Sequence, residues 1–246
     1  MSPPIDAPTP STRTGVRGRR AFGWRAAVLS IATALAAVAA IAHAPNASAQ
    51  GGGGLSLDVH RWRVVTRDSG PVNYYRVVDD PSMPFLRAEY RPPLATTVLG
   101  FQLPDEERER ARHLRWSWRA RTLPRNANEC AKGAEDAAAT VYATWKRGLR
   151  WYTLKYQWSS VGAKGSVCNR KRNPFVAQQA VILQAGGPLN EWRHESIDLD
   201  AEFRKHFAGG DPKAEVPPFA GVGILTDGDQ TGSESAADYA AFVVSP

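Results

Sequence analysis

The stretch Leu114-Arg-Trp-Ser-Trp-Arg-Ala-Arg121 decides the fold. Leu114, Trp116, Trp118 and Ala120 fall on one face of an extended chain, and Arg115, Ser117, Arg119 and Arg121 fall on the other. Successive side chains of a strand point to opposite faces, so this is a strand with one buried face, and its two indoles are expected in the core. Working outward, the same alternation recurs at 74–78, 85–90, 96–103, 137–145, 151–158, 176–184, 192–198, 219–226 and 239–244, with turn residues between nearly all of them. Two helical pieces interrupt the series. Residues 105–112 are charged on every side, whereas 200–207 sets Phe203 and Phe207 four apart and so has an apolar stripe. Short strands without alternating helices predict an all-β fold, an antiparallel β-sandwich of jelly-roll type with one short helix, rather than a parallel α/β sheet.

The chain before this series reads as an address. Arg19 and Arg20 precede Phe22, 17 uncharged residues follow at 26–42, and Ala47, Ser48 and Ala49 offer a small-residue cleavage site. A basic region, an apolar run and small residues in that order make an export signal, and the paired arginines point to the twin-arginine route. Cleavage after Ala49 is expected, because cutting after Ala44 would put Pro45 just past the scissile bond. The expected organisation is an export signal at 1–49, a flexible Gly-rich spacer at 50–56 and a single β-sandwich domain at 57–246, located in the periplasm or outside the cell. Seventeen residues are the lower edge for crossing about 30 Å of hydrocarbon, so no stable membrane insertion is expected after cleavage, an uncleaved anchor being the alternative. The leader also distorts the charge. Of the chain's 31 basic and 24 acidic groups it holds five arginines and one aspartate, leaving a nearly balanced remainder that excludes nucleic acid as partner. Cys130 and Cys168 flank two neighbouring strands, and an oxidising compartment would join them.

From Trp116 onward the chain resembles a bacterial family catalogued as domain of unknown function 3047. Trp116-Ser-Trp118, Glu135-Asp-Ala-Ala-Ala-Thr-Val-Tyr142, Leu154-Lys-Tyr-Gln-Trp158, Trp192-Arg-His-Glu195, Asp200 with Phe203 and Phe207, and Ile224-Leu-Thr-Asp-Gly-Asp-Gln-Thr231 carry the resemblance. That family commonly has arginine where this chain has Thr140 and Ser196, and glycine where it has Ala208. The resemblance implies a single folded domain and brings no reaction with it.

Three groups of residues can carry chemistry. Asp227, Asp229 and Thr231 alternate around Gly228 and Gly232, with Asp238 further on. Hard cations take six to eight oxygens, so these four residues are candidate ligands for Ca2+, although strands flank the loop where an EF-hand has helices. Aromatic residues are the second group. Trp151 lies opposite Tyr152, Leu154, Tyr156 and Trp158 and shares its face with Thr153, Lys155 and Gln157, which makes it a candidate platform for stacking a sugar ring. The third group is His194 and Glu195 near Trp192, with Glu135 and Asp136 before another strand; together with Asp227 and Asp229 they offer acids and a base if the fold brings them into one cleft. Taken together, the residues describe an exported β-sandwich that binds a polysaccharide or other cell-envelope glycan without catalysis, Trp151, Glu195 and His194 contacting it. The alternatives are a polysaccharide lyase or hydrolase using Glu195, His194 and the Asp227/Asp229 pair, and a structural envelope protein.

Overall fold

A computed structural model describes residues 54–65 and 72–246, so the export signal and the first residues of the spacer lie outside the described residues. The strands are β1 (Leu55–Ser56), β2 (Arg63–Val64), β3 (Tyr75–Val78), β4 (Phe85–Tyr90), β5 (Leu99–Gln102), β6 (His113–Thr122), β7 (Ala139–Arg147), β8 (Arg150–Ser159), β9 (Val167–Arg172), β10 (Val176–Ala185), β11 (Arg193–Asp198), β12 (Phe219–Leu225) and β13 (Ser235–Ser245). A single helical turn, α1 (Asp105–Arg108), follows β5, and α2 (Leu199–Phe207) follows β11.

The strands form two sheets packed face to face, the expected β-sandwich. One runs β11-β6-β13-β4-β3, with β1 also pairing β13; the other runs β2-β5-β12-β7-β8-β10-β9. The strand that decided the fold, β6, behaves as its alternation dictates. Leu114, Trp116, Trp118 and Ala120 are buried between the sheets, while Arg115 and Arg121 look outward. Trp116 meets Trp118 edge-to-face at 5.7 Å between ring centroids, and Trp118 meets Trp158 of the other sheet at 5.8 Å. Such offset contacts suit the ring quadrupoles and add to the burial of large apolar surfaces. At one end α2 covers the gap. Asp198 caps it by accepting from the Ala201 amide at 2.9 Å, and Phe203 and Phe207 pack on Trp145 and Tyr152.

Two details depart from the expectation. The pair β8–β10 is parallel, because β9 intervenes in the chain but pairs antiparallel with the far side of β10. β9 itself was not foreseen, since Val-Cys-Asn-Arg-Lys-Arg reads as a polar connection; as an edge strand it has no need of apolar alternation. Cys168 on β9 is joined to Cys130, with 5.3 Å between their Cα atoms, and the hairpin β7–β8 lies between the two cysteines in the chain. Beside Cys130, Glu129 is fully buried, and that burial pushes its carboxyl up to about 7, with the Ser159 hydroxyl pulling the other way.

Candidate functional site

Strand ends bring three carboxylates together. Asp136 stands just before β7, and Asp227 and Asp229 just after β12; because β7 and β12 are antiparallel neighbours, these positions share one rim of the seven-stranded sheet. An oxygen from each lies within 4.8 Å of the others. Asp136 organises the loop: its Oδ1 accepts from the Gln230 amide at 3.2 Å, and its Oδ2 accepts from the amide and the hydroxyl of Thr231, each at 2.7 Å. Asp227 Oδ1 accepts from the Ala137 amide at 2.9 Å. Asp229 Oδ1 is buried and accepts no hydrogen bond. Gly228 is required by the bend, since a Cβ there would sit 2.0 Å from the Ser233 carbonyl oxygen.

The electrostatic consequence is strain between like charges. Burial, and then the neighbouring Asp136 carboxylate, push the carboxyl of Asp227 well above its ordinary range, and the same two causes raise Asp229. Tyr90, at the edge of the cluster, is pushed up to about 12 by burial and then by Asp229, Asp136 and Asp227. A cation would relieve this repulsion. Oxygens bound to one Ca2+ at about 2.4 Å lie at most about 4.8 Å apart, so the three carboxylates fit around such an ion, and the donor set is all oxygen.

Asp238 does not join them. It lies on β13, whose alternation turns Ala237 and Tyr239 into the core and Asp238 onto the outer face of the six-stranded sheet. There it is fully buried beneath two arginines: Arg87 donates to both of its oxygens at 2.8 and 3.0 Å, and Arg119 donates at 2.7 Å. The sequence spacing mimicked a loop, whereas the residue belongs to a strand and its charge is already matched. Thr231 is in the loop, where its hydroxyl bonds Asp136 and Ser233.

His194 and Glu195 diverge because they are adjacent on β11. His194 Nδ1 lies 2.7 Å from the Ser117 hydroxyl on the outer face of the six-stranded sheet. Glu195 turns to the other side and accepts from Trp118 Nε1 at 3.1 Å and Gln184 Nε2 at 2.7 Å, a position that satisfies a buried indole. Neither is grouped with Asp227 and Asp229. Glu195 faces Trp118 and Gln184, so it does not share a surface with Trp151, which lies on the outer face of the seven-stranded sheet.

Trp151 is half-buried on the outer face of the seven-stranded sheet, with the Lys146 ammonium 4.8 Å from its ring centroid. Its strand neighbours Thr153, Lys155 and Gln157 follow from the sequence, but those on β7 do not. Val141, Ala143 and Trp145 of β7 and Leu154, Tyr156 and Trp158 of β8 face the core, so Thr140, Tyr142 and Thr144 face outward opposite Gln157, Lys155 and Thr153. Gln178 of β10 and Lys171 of β9 extend the Thr144–Thr153 row across the sheet. On the other flank Gly223 leaves room for the Tyr142 ring, since a Cβ there would come within 3.3 Å of it. Tyr142 then packs with Val65, Val98 and Leu225 in a small apolar cluster beside the polar row. Lys155 is half-buried, its Nζ 5.5 Å from the Tyr142 ring centroid, and burial pulls its ammonium down to about 8. On this face Lys146 is exposed and Trp151, Lys155, Lys171 and Gln178 are half-buried, whereas Thr140, Tyr142, Thr144, Thr153 and Gln157 are buried, so the part a polyhydroxylated ligand could reach is the Trp151 ring with its neighbouring amide and ammonium groups.

Residues 60–243 match the family described as protein of unknown function (DUF3047). No curated protein matches the chain. Among solved structures it is similar to the xyloglucanase domain of NopAA, a type three effector from Sinorhizobium fredii in complex with cellobiose, at 9% identity over 78% of this chain and 97% of that one, with a TM-score of 0.41. The catalytic domain of Humicola grisea Cel12A with a soaked thio cellotetraose is similar at 13% identity, 74% and 98% coverage and a TM-score of 0.36. Trichoderma harzianum endoglucanase 3, of family GH12, follows at 7% identity, 77% and 99% coverage and a TM-score of 0.33. Likenesses this distant carry no functional weight.

Proposed function

The chain belongs to the DUF3047 family, and from that premise, which defines the folded unit and leaves its task to its own residues, we propose that it is an exported, non-catalytic domain that binds a cell-envelope glycan on the outer face of its seven-stranded sheet. The observation that carries this reading is the half-buried Trp151 on the outer face of the seven-stranded sheet, with exposed Lys146 beside it and half-buried Gln178 and Lys171 along the same face, while Thr140, Tyr142, Thr144, Thr153 and Gln157 behind them are buried. Sugars present hydroxyls at their edges and apolar C–H faces above and below, so rings near hydrogen-bonding groups suit them. A binding role fits better than cleavage. Glycosidic hydrolysis uses two carboxyls flanking the scissile bond, whereas of the convergent acids here Asp227 is buried and Asp136 is spent on the loop's amides.

Ca2+ at Asp136, Asp227 and Asp229, with Thr231 in the same loop, would act by fixing the rim rather than by touching the glycan. Export through the leader at 1–49 would bring the domain to an oxidising compartment, which is in keeping with the joined Cys130 and Cys168. The test is a glycan array with the purified protein, followed by titration of each hit. At least one envelope oligosaccharide should bind, and Trp151→Ala should weaken it about tenfold, the value of one lost stacking contact of roughly 1–1.5 kcal/mol. No hit, or hits indifferent to Trp151→Ala, would remove the proposal.

A further inference from the structure

We propose that the domain docks on an anionic phospholipid surface through two neighbouring hairpin tips, with Leu149 and Phe175 entering the interfacial layer and the basic residues behind them meeting the headgroups. This is a landing on the surface and needs no membrane-spanning segment. It stands apart from the glycan reading, which neither supports nor limits it.

Two hairpins reach the same end of the seven-stranded sheet. β7 turns into β8 at Gly148-Leu149, and β9 turns into β10 at Asn173-Pro174-Phe175. Because β8 and β10 are parallel neighbours with Trp151 opposite Val176, the two tips lie side by side, and the Trp151 amide donates to the Phe175 carbonyl at 2.8 Å. Both tips are shaped before any partner arrives. Gly148 takes the left-handed conformation, with φ 57°, and a Cβ there would meet nothing within 4 Å, so this turn stands clear of the body. The Asn173 side chain closes the other turn by accepting from the amides of Phe175 and Val176 at 2.9 and 2.8 Å.

What the tips present is apolar. Among the described residues three large apolar side chains are more than half exposed, Leu149 at 78%, Val161 at 61% and Phe175 at 58%, and two of the three stand on these adjacent turns. Just behind them the charge has one sign. Residues 146–151 and 171–176 contain Lys146, Arg147, Arg150, Lys171 and Arg172 and no acid. Glu215, 3.5 Å from Arg147, is the acid that an ion pair brings to them, and Arg172 spends a donor on the neutral His206 carbonyl at 3.0 Å, which leaves its charge uncancelled. An apolar point followed by a basic collar matches the order of an anionic bilayer, where phosphates lie above hydrocarbon, and both terms add to the attraction. A protein partner is a poorer fit. Stable protein interfaces bury about 800 Å² on each side around a packed centre, whereas two turn tips offer narrow convex points that a fluid interface can close around.

The test sediments the protein, freed of its leader, with vesicles of phosphatidylcholine alone or mixed with phosphatidylglycerol. It should bind the mixed vesicles and not the neutral ones, and salt raised to about 1 M, where the Debye length is about 3 Å, should release it. The double variant Leu149→Ser, Phe175→Ser should bind at least about tenfold more weakly, since apolar surface buried in lipid is lost. Its melting temperature should not change, because both side chains are exposed, and Leu149→Phe should bind as the wild type does. No binding to the mixed vesicles, or binding indifferent to the double variant, would overturn the proposal. Equal binding to neutral and anionic vesicles would overturn it as well, because charge would then play no part. A dimer that the same double variant dissolves, without vesicle binding by the wild type, would assign the tips to a contact between copies instead.

Discussion

Replacing Glu129 by Gln should stabilise the protein at neutral and alkaline pH and hardly change it in acid. The carboxyl has no solvent exposure, and burial raises it from 4.5 to about 7. In the unfolded chain it ionises near 4.5. Between those values the folded state holds a proton that the unfolded state has released, so stability falls as pH rises, and the loss is complete once the folded carboxyl has ionised. A shift of about 2.5 pH units at 1.36 kcal/mol each corresponds to about 3 kcal/mol. Glutamine keeps the shape and cannot ionise. Denaturant unfolding of the disulfide-bonded protein at pH 5 and pH 8 measures the effect as a difference between variant and wild type. That difference removes the similar pH dependence of Asp227 and Asp229, whose carboxyls are raised in the same direction. The advantage of Glu129→Gln should grow by about 2–3 kcal/mol across the interval. Parallel stabilities of the two proteins from pH 5 to pH 8 would show that Glu129 is not ionising in a buried setting and would refute the reasoning.

Two further outcomes follow from the charged clusters. Calcium should stabilise the native state by mass action, by about 2.7 kcal/mol at a hundredfold excess over Kd, and so raise the melting temperature; the double variant Asp136→Asn, Asp227→Asn should lose the response, and a wild-type melting curve identical with and without chelator would dismiss the cation. Arg119→Ala should destabilise by about 3 kcal/mol, because it leaves the fully buried Asp238 with Arg87 as its main partner. Urea unfolding at pH 7 reads it, and a loss below about 1 kcal/mol would mean that water replaces the missing guanidinium.

Most of the sandwich was legible because one physical rule, the two-residue period, governs every long strand. Trp116 and Trp118 declared their face in eight residues, and the same rule already separated Trp151 from Tyr152. It also held the answer for His194 and Glu195, since adjacent residues of a strand cannot share a surface. Asp238 misled because a run of Asp, Gly and Ser reads as a loop, while the strand that claims it is defined by partners on β4 and β6 far away in the chain. Asp136 was visible as an acid before a strand, but its place beside Thr231, 95 residues later, depends on β7 and β12 being neighbours. Spacing along a sequence records only local loops. The polar outer row was hidden for the opposite reason: Thr140, Tyr142 and Thr144 sit among alanines and a valine, and nothing in the strand alone says which of its two faces looks away from the other sheet.

The position of β13 has a consequence for how the molecule is made. This strand lies in the middle of its sheet, between β4 and β6, and it also holds β1. Every other strand of that sheet precedes it in the chain. During synthesis, then, β4 and β6 emerge with a gap between them that only residues 235–245 can fill, and Trp116, Trp118 and Leu86 have no finished layer to hold them until that happens. A truncation just short of β13 would leave two open sheet edges and an uncovered aromatic interior rather than a slightly smaller protein.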